Sequence, residues 1–167
     1  MSELADWLER FRRGAELVAV ATTGAAGSML DYQPGEGKWG VRTIVCHLAY
    51  TEQVLAMRIR QIIAEDNPLL PAIDQDLWAN RLDYSKRKLS QALDAFRRTR
   101  AENYELLKDL PEETFSRTGQ HTKRGTVTLM DMLRIFAEHP EKHVRQIHGA
   151  RAAFKEFKAS QAAPTAP

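Results

Sequence analysis

Leu129-Met130-Asp131-Met132-Leu133-Arg134-Ile135-Phe136-Ala137-Glu138-His139-Pro140-Glu141-Lys142-His143-Val144-Arg145-Gln146-Ile147 opens a run in which apolar residues return every three or four positions. Continued to Phe157, the seam reads Leu129, Met132, Phe136, His139, His143, Ile147, Ala150, Phe154 and Phe157. That period belongs to a helix with one buried face, and two imidazoles stand on it where hydrocarbon is expected. Four positions apart, they lie one turn apart on the same side and can reach a single ion. Buried without partners, they would cost several kcal/mol in unmet hydrogen bonding. Pro140 stands between them. Its ring removes a backbone donor, clashes with the carbonyl at Phe136 and disfavours helical geometry at His139. Because the seam stays in phase through Ile147 and Phe154, a kinked but continuous helix is expected.

Three further helices can be read upstream. The first runs from about Glu3 to the early twenties on the stripe Leu4, Leu8, Phe11, Ala15 and Val18. After the breakers Pro34-Gly35-Glu36-Gly37, a second runs from about Val41 to Glu65, until Asn67-Pro68 stops it. Its inward set is Ile44, His47 or Leu48, Thr51, Leu55, Arg58 or Ile59 and Ile62, so His47 falls beside a seam. The segment from Leu69 to Asp83 reads as a long crossover with a short helical piece. The third begins near Ser85 on the stripe Leu89, Leu93, Phe96, Arg100, Asn103, Leu107 and Leu110, interrupted by the polar Arg100 and Asn103 and stopped by Pro111. From Glu112 to Thr128 the pattern is irregular, with no period-2 strand in view, and Thr128 with Asp131 makes a capping-box-like start to the fourth helix. The expected architecture is an all-α four-helix bundle with a long crossover between the second and third helices. A single domain spans residues 1–158, and the small-residue, proline-bearing segment 159–167 is expected to be a disordered tail.

With His47 as a neighbour, His139 and His143 suggest a three-histidine divalent metal site. Three protein ligands leave a coordination position for water or substrate, and first-row ions such as zinc accept neutral imidazole. Gln146, three positions after His143, can orient a ligand. Glu52 lies about 140° around the helix from His47, which suits an ion pair or a proton-transfer role at one remove better than direct ligation. His121 reads as a hydrogen bonder that fixes a loop, and His148 points away from the seam. Trp39, Trp78 and Tyr84 can close hydrophobic corners or line the mouth of a pocket. Cys46 projects about 100° away from His47 and reads as a small buried hydrophobe. No second catalytic group is evident, so a non-catalytic metal- or small-ligand-binding bundle, even a metal-free one, stands as the alternative to an enzyme.

Composition narrows the function classes. With 24 basic and 22 acidic residues the formal charge is +2, and the basic residues are interspersed with acids, which argues against nucleic acid as a partner. No apolar run approaches the ~20 residues that span a bilayer, and the amino terminus lacks a secretory pattern. With a single cysteine, a cytoplasmic location is expected.

Several motifs together resemble the DinB-like superfamily and its YfiT-like branch, classed as metal-dependent hydrolases. They are Asp31-Tyr32-Gln33-Pro34-Gly35-Glu36-Gly37-Lys38-Trp39-Gly40-Val41-Arg42 leading into His47-Leu48-Ala49-Tyr50-Thr51-Glu52, Gly119-Gln120-His121 with Gly125-Thr126-Val127-Thr128-Leu129, and Ala137-Glu138-His139 with His143-Val144-Arg145-Gln146-Ile147. The similarity extends to about Ala150. It implies a four-helix bundle with His47, His139 and His143 as ligands to zinc or nickel, or to manganese or iron, and a homodimer. It further implies hydrolysis of a small-molecule substrate, or its transfer to a low-molecular-weight thiol, whereas a stress-response role belongs to the non-catalytic alternative. Fold resemblance does not choose among these.

Overall fold

The computed structural model describes residues 2–162. Helix α1 (Glu3–Thr22) is capped by Ser2, whose hydroxyl accepts from the Ala5 amide. A 3-10 turn over Gly27–Leu30 precedes α2 (Val41–Ala64). The crossover then forms the two-residue strand β1 (Leu69–Leu70), the short helix α3 (Gln75–Arg81) and a 3-10 turn at Tyr84–Lys86. Helix α4 (Leu89–Lys108) begins later than expected because Ser85 belongs to that 3-10 turn, entered through Asp83 at φ +52. Strands β2 (Thr118–His121) and β3 (Gly125–Thr128) lead into α5 (Leu129–Ala162). The α5 start is the expected capping box: the Asp131 carboxylate accepts from the Thr128 amide and hydroxyl, and the Thr128 hydroxyl accepts from the Asp131 amide.

The principal helix packings are α1 with α5, α2 with α4, α1 with α4 and α2 with α5. The consecutive helices α1 and α2 therefore lie across a diagonal of the four-helix bundle, and α5 stands between them.

Two expectations need correction. Residues 118–128 are not irregular: β2 and β3 pair antiparallel, His121 opposite Gly125, and β1 joins β2 in parallel with Leu70 opposite His121. Gly125, at φ +75, makes this tight three-residue turn possible. The sheet pins the crossover beside α2. The tail expected from residue 159 also starts too early, since α5 continues through Ala162. Ala159, Gln161 and Ala162 favour helix, and no proline intervenes before Pro164. Residues 163–167 of that tail lie outside the described residues.

The apolar core is divided in two along every long helix. One cluster takes Phe11, Leu55, Ile59, Leu107, Met132 and Phe136. The other takes Val18, Ile44, Leu48, Phe96, Ile147 and Ala150. Between them a polar waist crosses the bundle, made of Gly14, His47 and Glu52, Arg100 and Asn103, and the His139 to His143 turn. Burying so much polarity at mid-bundle is costly unless every group is paired.

Pro140 is the key to that waist. Helix α5 runs unbroken through it, as the phase of the seam anticipated. The carbonyl of Phe136 lacks its i+4 donor there, and Arg100 of α4 supplies one, its Nη1 donating at 3.0 Å. The same nitrogen donates to the Phe11 carbonyl at 3.0 Å. The ring itself fits because α1 has no side chain opposite it: a Cβ on Gly14 would lie 2.6 Å from Pro140 Cγ. Gly14→Ala should therefore destabilise the protein by about 1–3 kcal/mol through overpacking, although alanine favours a helix by ~1 kcal/mol. Combined with Pro140→Ala, the same substitution should become neutral or stabilising. Urea unfolding of the two single variants and the double variant measures this, and a destabilisation that persists unchanged in the Pro140→Ala background would contradict the packing account.

Candidate metal centre

Each histidine reaches the waist from a residue whose place in its helix is fixed by apolar neighbours. His47 is flanked by buried Ile44, Leu48 and Thr51, and His143 lies one turn before buried Ile147. His139 precedes Pro140, whose ring is seated on Gly14. The Nε2 atoms of His47 and His139 are 3.1 Å apart, and those of His143 and His139 are 3.0 Å apart. All three offer a nitrogen within 4.8 Å of the others. On the far side of its ring, His143 Nδ1 lies 2.8 Å from Gln146 Oε1. With the amide oxygen accepting, Nδ1 holds the proton and Nε2 turns a lone pair towards the centre.

The donor set suits a metal. Hydrogen bonding alone could satisfy three converging Nε2 atoms only by splitting one N–H between two acceptors, whereas one cation gives every lone pair a partner. The two separations from His139 are near the ~3.3 Å between two ligands held ~2.0–2.1 Å from a tetrahedral ion. Charge state agrees: burial pushes His47 down to about 3, with His143 adding to the shift. Burial likewise pushes His139 down to about 2, reinforced by His143 and His47, and lowers His143 against the opposing Gln146 hydrogen bond. At neutral pH all three are uncharged imidazoles, the form that ligates.

The other candidates take different places. Glu52 is only 1% exposed, but it hydrogen-bonds none of the histidines. It accepts from Arg100 Nη2 at 2.6 Å and from Asn103 Nδ2 at 3.0 Å, and Asn103 in turn accepts from Arg60. Of the two roles open to Glu52, the structure shows the ion pair and not a proton-transfer contact: its partner is the guanidinium that completes the α5 backbone beside His139. Burial raises the Glu52 carboxyl, while Arg100 and Asn103 hold it down. His121 accepts from the Lys123 amide and fixes the hairpin turn, and His148 is exposed. Cys46 is fully buried, and its thiol is pushed up to about 11 by burial, so it is no nucleophile at neutral pH. Among the described residues, no fourth histidine, cysteine or acid joins the cluster.

Two cavities meet the histidines. One of about 660 Å³ is lined by His47 and His139, by Arg58 of α2 and by the β2–β3 hairpin. The other, of about 540 Å³, is lined by His143, Gln146 and Trp39. Trp39 stacks on His143 at 6.4 Å with the ring planes 8° apart, and its ring lies 4.9 Å from His47. It therefore walls the site, whereas Tyr84 closes a corner by stacking on Tyr50 and Trp78 packs against the apolar cluster on that side. Sequence reasoning missed the hairpin wall and the place of Arg58 on that cavity, having counted Arg58 among alternatives for the inward seam. The available signal was a cation on a buried stripe.

The DinB superfamily model matches residues 7–147. The chain belongs to the DinB superfamily. Among DinB relatives, an Oceanobacillus iheyensis protein named "Putative metal-dependent hydrolase" is 25% identical over 142 residues, 85% of this chain and 82% of its own. Bacillus subtilis YfiT, which bears the same description, is 26% identical over 121 residues, 72% of this chain and 68% of its own. The solved structure of YfiT, described as "a probable metal-dependent hydrolase with an unusual four-helix bundle topology", superposes with a TM-score of 0.86 at 22% identity and covers 93% of this chain and 90% of that one. The DinB fold expected from the motifs is the fold observed. No described helix is long and apolar enough to cross a membrane.

Proposed function

We propose that this DinB protein is a metal-dependent hydrolase acting on a small molecule, with His47, His139 and His143 holding one divalent ion, zinc or nickel in preference to manganese or iron. The observation that carries the reading is the convergence of three neutral Nε2 atoms, two of the imidazoles lining one cavity and the third lining another. The names of its relatives favour hydrolysis over thiol transfer. A divalent ion bound there supplies Lewis acidity, which polarises a carbonyl or phosphoryl oxygen and acidifies water. The protein's own part is to fix the donors. Gln146 sets the His143 tautomer, burial keeps the imidazoles uncharged, and the Arg100 bond to the Phe136 carbonyl holds the α5 turn that carries His139. Trp39 and Phe136 exclude bulk water from the face of the cluster, since their rings lie against His143 and His139. Among the described residues no fourth protein donor joins the three, which leaves room for substrate.

Metal analysis by mass spectrometry on protein purified without a histidine tag should find about one divalent ion per chain, and less than about a tenth of that in His143→Ala. The loaded protein should then hydrolyse members of an ester, amide and phosphoester panel, and His143→Ala should not. No bound ion after reconstitution with zinc, nickel, manganese and iron(II) would rule the reading out.

A further inference from the structure

The larger cavity has a cationic wall opposite the histidines. Arg58 projects from α2 and is 8% exposed. Its Nη2 donates to the Pro71 carbonyl at 2.7 Å, while its Nε is buried without a hydrogen-bond partner. No carboxylate lies within ion-pair distance of it among the described residues. The hairpin turn adds Lys123 and Arg124, both exposed and both lining the same space. These charges sense one another: after burial, Arg124 is the next cause lowering Arg58, and Arg58, Arg124 and Lys123 all help to lower His121. The acids on this cavity, Asp74 and Asp76, stand at the start of α3, where Asp74 Oδ1 is engaged in capping through the Leu77 amide. A buried guanidinium whose charge meets only a backbone carbonyl is expensive to maintain.

We propose that Arg58, with Arg124 and Lys123, forms an anion-binding subsite, so that the substrate is a small molecule carrying a carboxylate or phosphate group that docks against the hairpin wall while its reactive end faces His47 and His139. The assignment rests on the metal-site reading for the position of the reactive end, but the anion subsite itself does not need the ion. Arg58 and the histidines line a single cavity of about 660 Å³, which is room for a metabolite-sized ligand. A guanidinium that is partly desolvated and lines such a space makes strong, charge-assisted hydrogen bonds to oxyanions. The sheet gives the subsite its geometry. Pairing of β1 with β2 sets the Pro71 carbonyl on Arg58, and the turn after His121 carries the two outer cations over the same opening.

The test uses metal-free protein, so that the ion cannot capture the probe, and titrates inorganic phosphate and succinate by calorimetry and by two-dimensional NMR of amides in the hairpin. At least one probe should bind with a Kd below ~50 mM, with shifts at residues 121–125, and Arg58→Met should weaken it by about tenfold or more. Because Arg58→Met also loses the Pro71 bond, Lys123→Gln/Arg124→Gln serves as the second variant: these exposed substitutions should weaken binding about threefold or more and leave the melting temperature unchanged. Preference between the two probes tells a phosphate-bearing substrate from a carboxylate-bearing one. Failure of both to bind, or binding that ignores both variants, overturns the subsite. A strut role for Arg58 would lower the melting temperature and leave anion affinity untouched. Zinc titration of the same samples separates the two ideas: anion binding without zinc binding would sink the metal reading alone, and the converse would sink only the subsite.

Discussion

Arg100→Met should cost the fold about 3–5 kcal/mol, because it leaves the Glu52 charge buried and unpaired. For a chain of this size that is a fall of roughly 10 °C or more in melting temperature. Glu52 and Arg100 are each 1% exposed and 2.6 Å apart, so water cannot replace the lost partner. The substitution also strips the Phe136 and Phe11 carbonyls of a donor and removes a guanidinium packed 4.0 Å over the Phe11 ring. The Phe136 carbonyl belongs to the turn that carries His139, so zinc affinity should fall about tenfold in the same variant. Glu52→Leu/Arg100→Met should recover at least half of the lost stability, since an apolar pair no longer carries a stranded charge. It should not recover the zinc affinity, because the carbonyl beside Pro140 still lacks its donor. Thermal unfolding and zinc titration of the three variants decide the matter. A melting temperature for Arg100→Met within a degree or two of the parent would show that the pair is not what holds the waist together.

That network also marks the limit of what the amino-acid sequence discloses. The seam of α5 identified both histidines and predicted that the helix survives Pro140, because period and phase are local properties. Arg100 and Asn103 were visible as polar residues on a buried stripe, but their purpose was not, since it depends on a proline about forty positions away and a glycine on a third helix. The reasoning that would have linked them starts from the orphaned carbonyl: a proline in a helix interior leaves one acceptor at i−4, and a buried acceptor must find a donor. The β2–β3 hairpin was unreadable for a different reason. Its eight strand residues include a single large apolar side chain, Val127, so alternation had almost nothing to mark. Its third strand, β1, lies about fifty residues earlier in the chain. The cavity wall built on that sheet, and with it the place of Arg58 on the cavity, could be seen only once the chain was folded.

Metal-free protein should lose about 4 kcal/mol of stability between pH 7.5 and pH 5, about 2 kcal/mol from each of His47 and His139. The sign follows from the direction of the shifts. Both groups ionise near 6.5 in the unfolded chain and near 3 and 2 in the fold. Between those limits the unfolded state binds more protons, so stability is fully present above about 6.5 and drains away as the pH falls. His143, also lowered by burial, acts in the same sense. Glu52 works the other way, because burial raises its carboxyl and favours proton uptake by the fold. The informative quantity is therefore a difference in slope: between pH 6.5 and 5, His139→Leu should show a pH dependence shallower than the parent by up to about 1.4 kcal/mol per unit. Against a total stability of ~5–15 kcal/mol, such a loss would be plain in urea titrations at each pH. Zinc at about a thousand times its Kd should add ~4 kcal/mol at neutral pH. Much of that increment should persist at pH 5, where free imidazole would already be protonated, because the fold keeps its donors neutral. A zinc increment that vanished near pH 6, as it would for histidines exposed to water, would show that the three imidazoles are not held as a buried, uncharged set.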